Sequence, residues 1–160
     1  MKTLAAIAVA SLLVSASVAW AQNDRIGSIE VTNVWAPATG SSPTNSAVYM
    51  SLADRGAKSD ELVDASSPVA QKVELHVFNV GKGDVYGMRR VSGIEITPGS
   101  AVTVLRPGGA HIMLESLKRP LRAGTTFPLT LTFQRAGQLQ IEVRVESPQA
   151  IVANATWPPR

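Results

Sequence analysis

The sequence predicts an all-β protein, one domain built as an antiparallel β-sandwich or barrel. Short segments in which apolar and polar residues alternate recur along the chain, and turns rich in Gly and Pro separate them. Alternation of this kind is typical of strands with one buried face, because successive side chains of a strand point to opposite sides. No long stretch has the 3.6-residue period of an amphipathic helix.

The predicted strands are short and near-regularly spaced. In chain order they are residues 29–31, 47–52, 73–80, 85–91, 94–96, 102–105, 111–114, 127–133 and 139–145. The clearest alternation is in 127–133, where Leu129, Leu131 and Phe133 share one face. Segments 73–80 and 85–91 flank the turn Gly81-Lys82-Gly83-Asp84 and are therefore predicted to form a hairpin.

The first 21 residues have the composition of a secretory signal peptide. Lys2 precedes an apolar run from residue 4 to 18, and Ala19-Trp20-Ala21 ends the segment with small residues around one large one. The apolar run is shorter than the roughly 20 residues that a membrane span needs. We therefore expect export, with cleavage after Ala21.

The remaining chain is expected to form a single β-sandwich domain at 22–146, followed by a flexible tail at 147–160. The formal net charge is +3 with acids and bases interspersed, so no nucleic-acid-binding surface is indicated. No second apolar run reaches spanning length, so no membrane insertion of the mature chain is expected. The chain has no cysteine, which excludes a thiolate ligand and, with it, a blue-copper site.

The chain has two histidines, and each belongs to a predicted strand. Alternation places His111 and Met113 on one face of their strand, while Ile112 and Leu114 point the other way, into the core. The same argument puts His76 on the face opposite the apolar residues of its strand. The imidazole of His111 and the thioether of Met113 are thus expected side by side at the surface.

A second histidine–methionine pair is predicted in the hairpin. If the hairpin is symmetric about Lys82, His76 stands opposite Met88 with the two Cβ atoms about 5 Å apart, whereas a bulge in the turn would shift this register. Thioether sulfur is a soft ligand that suits Cu(I), and imidazole is acceptable to Cu(I) as well. The alternative is that both methionines are core packing, a common role for this residue. The candidate metal ligands are His76, Met88, His111 and Met113.

This ligand pattern resembles the signature of the periplasmic copper chaperone family called PCu(A)C. That signature is His-Met, about ten residues, Met, about twenty-one residues and His-x-Met, and the resemblance here extends from residue 29 to 145. Flanking phrases that also resemble the family include Pro107-Gly108-Gly109 and Gly93-Ile94-Glu95-Ile96. Two features depart from the family pattern: Val77 replaces the Met after the first His, and 22 residues separate Met88 from His111. Some relatives also have a Met/His-rich C-terminal extension; the tail here has neither residue, so a single site is expected.

The resemblance implies a cupredoxin-like sandwich that is not an enzyme and that holds one Cu(I). It further implies a monomer in the periplasm of a Gram-negative bacterium, which delivers copper toward the copper A site of cytochrome c oxidase subunit II beside Sco-type thioredoxin-like proteins. A metal-independent solute-binding or adhesion module is the alternative. An enzyme is disfavoured because the sequence has no Gly-x-Ser-x-Gly nucleophile elbow.

Overall fold

The computed structural model describes residues 24–42, 45–80, 86–99, 101–147 and 149. The predicted signal peptide, the hairpin turn at 81–85 and nearly all of the predicted tail lie outside these residues. Within the described part of the chain, no helix has both the length and the hydropathy to cross a membrane. The elements are the strands β1 (Asp24–Ile26), β2 (Ile29–Pro37), β3 (Asn45–Asp54), β4 (Asp60–Ser66), β5 (Ala70–Val80), β6 (Tyr86–Arg90), β7 (Ile94–Ile96), β8 (Val102–Leu105), β9 (His111–Leu117), β10 (Thr126–Phe133) and β11 (Gly137–Glu146).

The strands form two sheets that share β3, which confirms the predicted all-β architecture. One sheet has the order β6-β5-β9-β3, and the other continues as β3-β2-β11-β10-β4-β7, with β1 added to β2 and β8 added to β3. The strand pairs are antiparallel except for β11 with β2, which run parallel. The prediction of an antiparallel fold is thus confirmed for every other strand pair among the described residues.

Strand β3 joins the two sheets. Its first half pairs with β9 and its second half with β8, while β2 pairs along most of its other edge. This double use leaves little of β3 in contact with solvent, and Met50 and Leu52 are fully buried with Ser51 between them only 6% exposed. Burial on both faces explains why residues 47–53 of β3 are almost all apolar and do not alternate with polar residues.

The buried residues of both sheets form one hydrophobic cluster. The second sheet contributes alternate residues of β10 and β11, and the first contributes alternate residues of β5 and β9. Leu75, Ile112 and Leu114 are among the latter, as the alternation of the sequence predicts. The opposite face of β5 and β9 is therefore outside the core and free to carry other chemistry.

Two strands were not predicted from the sequence. One is β1, which is three residues long, and the other is β4, in which three acidic residues obscure the alternation. Asp60 of β4 is buried and accepts backbone hydrogen bonds from Arg135 and Ala136 at 2.9 Å each, so its carboxylate closes the β10–β11 turn. The sequence alone does not distinguish a buried, hydrogen-bonded aspartate in a strand from an exposed aspartate in a loop.

Truncating a core residue of β9 should cost far more stability than truncating its outward-facing neighbour. Leu114 is fully buried in the cluster, so Leu114→Ala should lower the free energy of unfolding by about 2–5 kcal/mol. Met113 lies outside the cluster, so Met113→Ala is the matched control and should cost clearly less. Urea denaturation of both variants measures the difference, and equal losses would contradict the assignment of faces.

Candidate metal centre

The two histidines stand directly opposite each other on neighbouring strands. The antiparallel register of β5 and β9 pairs His76 with His111 and Glu74 with Met113. The two imidazole centroids are 5.8 Å apart in an edge-to-face arrangement. This spacing is compatible with one metal ion bonded at about 2 Å to a nitrogen of each ring. Sequence reasoning placed both rings outside the core but did not identify this direct pairing.

One ring nitrogen of His76 is hydrogen-bonded to a carboxylate, and the other has no hydrogen-bond partner among the described residues. Its Nε2 lies 3.2 Å from Oε2 of Glu74, and because an ionised carboxylate only accepts hydrogen bonds, Nε2 carries the proton and donates. The second nitrogen, Nδ1, is buried and has no hydrogen-bond partner in the described part of the chain. In the neutral ring, Nδ1 therefore carries a lone pair that accepts no hydrogen bond from the described residues.

His111 repeats this arrangement with its nitrogens exchanged. Its Nδ1 donates to the carbonyl oxygen of Gly109 at 3.0 Å, so Nε2 carries the free lone pair, and Nε2 is buried without a partner among the described residues. The preceding turn allows this contact because Gly108 adopts a φ of 71°, which glycine tolerates. The expectation that the ligands lie at the surface is wrong for His111, which is 4% exposed. Tyr49 of β3 lies alongside, with the ring centroids 6.4 Å apart.

The methionines lie on the same face but differ in exposure. Met113 is half-buried, two residues beyond His111 on β9, whereas Met88 on β6 is 59% exposed. The prediction that Met88 stands opposite His76 is wrong, because the hairpin pairs Met88 with Phe78 and His76 with Arg90. The hairpin is thus symmetric about residue 83 rather than Lys82.

The corrected register still keeps Met88 beside the histidines. Because the partner of His76 changes by two positions, the side chain of Met88 remains on the face that His76 occupies. Met88 becomes a diagonal neighbour of His76, a relation that separates the Cα atoms by about 7–8 Å and lies within reach of long side chains. The structure therefore brings both histidines together, and it places both methionines on the sheet face around them.

Charged groups at one side of the histidine pair hold Glu74 in its ionised form. Lys72 lies 2.9 Å and Arg90 3.1 Å from Oε1 of Glu74. The hydrogen bond from Lys72, followed by the one from His76, lowers the pKa of the Glu74 carboxyl. Lys72 also reaches Glu115 at 3.3 Å, and its two carboxylate partners raise the pKa of its ammonium group. The positive charges of Lys72 and Arg90 thus balance the negative charges of Glu74 and Glu115. The sequence analysis did not identify Lys72 or Glu115 as part of the site.

Aromatic rings cover the other side of the pair. Trp35 of β2 and Tyr49 are paired in register with ring centroids 4.7 Å apart, and Tyr49 in turn neighbours His111. Burial raises the pKa of the Tyr49 phenol, so this group stays neutral at physiological pH. The ionic cluster thus lies beside His76, and the Trp35–Tyr49 pair lies beside His111.

The arrangement suits a soft metal ion. The two neighbouring rings each have a buried nitrogen without a hydrogen-bond partner among the described residues, so each could donate a lone pair to one metal ion. Imidazole nitrogen is a ligand that copper and other transition metals accept, and Met88 and Met113 on the same sheet face could add thioether sulfur, which suits soft ions.

The lowered pKa of Glu74 predicts how stability responds to acid. Because the folded-state pKa lies below the ordinary value of 4.5, ionised Glu74 stabilises the fold at higher pH, and this contribution is lost as pH falls through the folded-state pKa. Glu74→Gln should therefore destabilise the protein at neutral pH, and the difference from wild type should shrink below about pH 4.5. Urea denaturation across pH 3–7 measures this; Glu95→Gln, at an exposed position of β7, is the control. A difference that does not change with pH would contradict the ion-pair account.

Sequence comparison supplies a family. The family model described as "Putative lipoprotein LpqE-like" matches residues 29–145. The Leifsonia xyli protein named "Putative lipoprotein Lxx21020" is 33% identical over 118 residues, which are 74% of this chain and 69% of that protein. Protein RP573 of Rickettsia prowazekii is also 33% identical, over 102 residues, covering 64% of this chain and 56% of its own length.

Structural comparison agrees with the family match. The copper-bound PCuAC domain from PmoF2 superposes with a TM-score of 0.65 at 24% identity, covering 78% of this chain and 97% of that domain, a likeness that concerns the fold. The solution structure of CuI-DR1885 from Deinococcus radiodurans has a TM-score of 0.59 at 28% identity and covers 82% of this chain and 85% of its own. The chain belongs to the LpqE-like family, which is the PCu(A)C family.

Proposed function

We propose that this protein is an exported copper carrier that binds one Cu(I) through His76, Met88, His111 and Met113. The observation that carries the proposal is the histidine pair on β5 and β9, in which each ring keeps one buried nitrogen without a partner. Hydrogen bonds to Glu74 and to the Gly109 carbonyl orient the rings, so that in the neutral form of each imidazole the buried nitrogen carries the lone pair. The site is thus preorganised for an ion that accepts two imidazole donors.

The monovalent state of copper follows from the donor set. Two neutral imidazoles and two thioethers bring no negative charge, and such soft, uncharged ligands favour Cu(I) over Cu(II) or Zn(II). The charged groups beside the histidines balance each other, so they add no net attraction for a second positive charge. The related DR1885 protein, 28% identical, was solved in a form named for Cu(I), which supports the same assignment here.

The exposure of Met88 suits a protein that passes its ion on. His111 is buried, while Met88 is 59% exposed on β6 at the edge of the sheet. An acceptor can therefore approach from the Met88 side and replace this thioether first, so that copper moves by ligand exchange rather than by free dissociation. We infer that Met88 is the first ligand to leave during transfer.

We extend the proposal to the cellular role that the family resemblance implies. The domain at 22–146 would act as a monomer in the periplasm after removal of residues 1–21, without enzymatic activity. Its acceptors would be the copper A site of cytochrome c oxidase subunit II and Sco-type thioredoxin-like proteins. The relatives called lipoproteins support export. A metal-independent binding module is the competing hypothesis, and copper titration separates the two.

Cu(I) binding should depend on two methionines and not on the third. Anaerobic titration of the mature protein should give one Cu(I) per chain, and Met88→Leu and Met113→Leu should each weaken binding, because each removes a sulfur ligand. Met50→Leu is the matched control, since Met50 is fully buried in the core and should leave Cu(I) affinity unchanged.

Competition with a chromogenic Cu(I) chelator measures these affinities. A stoichiometry near two, or full affinity in both Met88→Leu and Met113→Leu, would contradict the four-ligand site. Absence of any Cu(I) binding would favour the metal-independent module.

Oxidation should weaken the site in an order set by exposure. Peroxide converts methionine to a polar sulfoxide, which is a poor ligand for Cu(I). Met88 should react first because it is largely exposed, Met113 more slowly, and Met50 last because it is fully buried. Peptide mass spectrometry gives the order, and chelator competition after peroxide removal gives the affinity. Unchanged affinity after complete oxidation of Met88 and Met113, with the fold intact by circular dichroism, would show that neither is a ligand.

A further inference from the structure

A second set of metal-binding groups lies next to the copper ligands. Ligand atoms of Glu74, His76 and Glu115 all lie within 4.8 Å of one another. Two carboxylates and an imidazole are a donor set that divalent ions such as Zn²⁺ accept. The cluster includes His76, so an ion bound there would compete for a ligand that the proposed Cu(I) site needs.

The side chain of Lys72 contacts both carboxylates of this cluster. Its ammonium nitrogen lies 2.9 Å from Oε1 of Glu74 and 3.3 Å from Oε2 of Glu115. The contact is built into the sheet, because the β5–β9 register pairs Lys72 directly with Glu115 and alternation puts Glu74 on the same face. A positive charge is thus held by the backbone pairing between the two carboxylates.

We propose that Lys72 is a specificity-determining residue, a tethered cation that keeps divalent metal ions off the Glu74–His76–Glu115 cluster. A divalent ion would have to displace the ammonium group from both carboxylates or bind within a few ångströms of it, and both alternatives are costly. Monovalent copper on uncharged ligands does not need these carboxylates. The role of Lys72 in copper selectivity rests on the proposed function. Its role in excluding divalent ions from the cluster does not.

The two sites use opposite nitrogens of the same ring. Glu74 faces Nε2 of His76 at 3.2 Å, so an ion held by the carboxylates would bind Nε2, whereas the buried nitrogen left for copper is Nδ1. A neutral imidazole carries one proton, and an ion on Nε2 leaves that proton on Nδ1. A divalent ion in the cluster would therefore remove one donor from the Cu(I) site.

The test compares Lys72→Met with wild type by isothermal titration with Zn²⁺ and, separately, by anaerobic titration with Cu(I). Lys72 is exposed, its side chain being 57% accessible, so the variant should fold, which circular dichroism checks. We expect Zn²⁺ affinity to rise by about tenfold or more, because a like charge next to the ion is removed. Cu(I) affinity should stay near that of wild type without Zn²⁺ and should fall when Zn²⁺ is present.

Two controls identify the cluster as the cause. Lys118→Met removes an exposed lysine just beyond β9 and should leave Zn²⁺ affinity unchanged. The double variant Lys72→Met/Glu115→Gln should lose the gain, because it removes one carboxylate of the cluster. Unchanged Zn²⁺ affinity in Lys72→Met, or an equal gain in Lys118→Met, would overturn the proposal. Failure of wild type to bind Cu(I) would instead overturn the proposed function, while the Zn²⁺ comparison still decides the role of Lys72.

Discussion

The antiparallel pairing of β5 with β9 determines the geometry of the candidate site. Its register sets His76 against His111, Glu74 against Met113 and Lys72 against Glu115. A shift of one residue would turn every side chain of one strand to the opposite face, which would bury charged groups and expose leucines. The register is therefore held by the core, and the position of the histidines follows from the packing of Leu75, Ile112 and Leu114 on the other side.

The same two strands divide stability and chemistry between their faces. The apolar face joins the single core cluster, while the polar face keeps Glu74 and His111 almost wholly out of water, at 8% and 4% exposure. Burying such groups is costly unless their hydrogen bonds are made, and here each has a partner that also orients it. Each ring still has one buried nitrogen without a hydrogen-bond partner among the described residues, and a bound metal ion would supply that partner.

Sequence reasoning reached the fold and the face of each strand, because both depend on local alternation. The limits of β7 and β8 agree with the predicted segments 94–96 and 102–105. The sequence did not predict strand register or contacts between residues that are far apart along the chain. The partner of Met88 depends on the β5–β6 register, and the neighbour of the His111 ring, Tyr49, comes from another strand. Lys72 and Glu115 lie 43 positions apart and carry no motif, so only the β5–β9 register reveals their contact.

In the proposed site, His76 and His111 share one Cu(I) through Nδ1 of the first and Nε2 of the second. Nitrogen-15 NMR of the two imidazoles, recorded on the apoprotein and after addition of one equivalent of Cu(I), tests it most directly. In the apoprotein, the proton should be on Nε2 of His76 and on Nδ1 of His111, as their hydrogen bonds require. Cu(I) should then shift mainly the two unprotonated nitrogens, with both rings responding at the same stoichiometry. A response from only one ring, or from the nitrogens bonded to Glu74 and Gly109, would contradict the account.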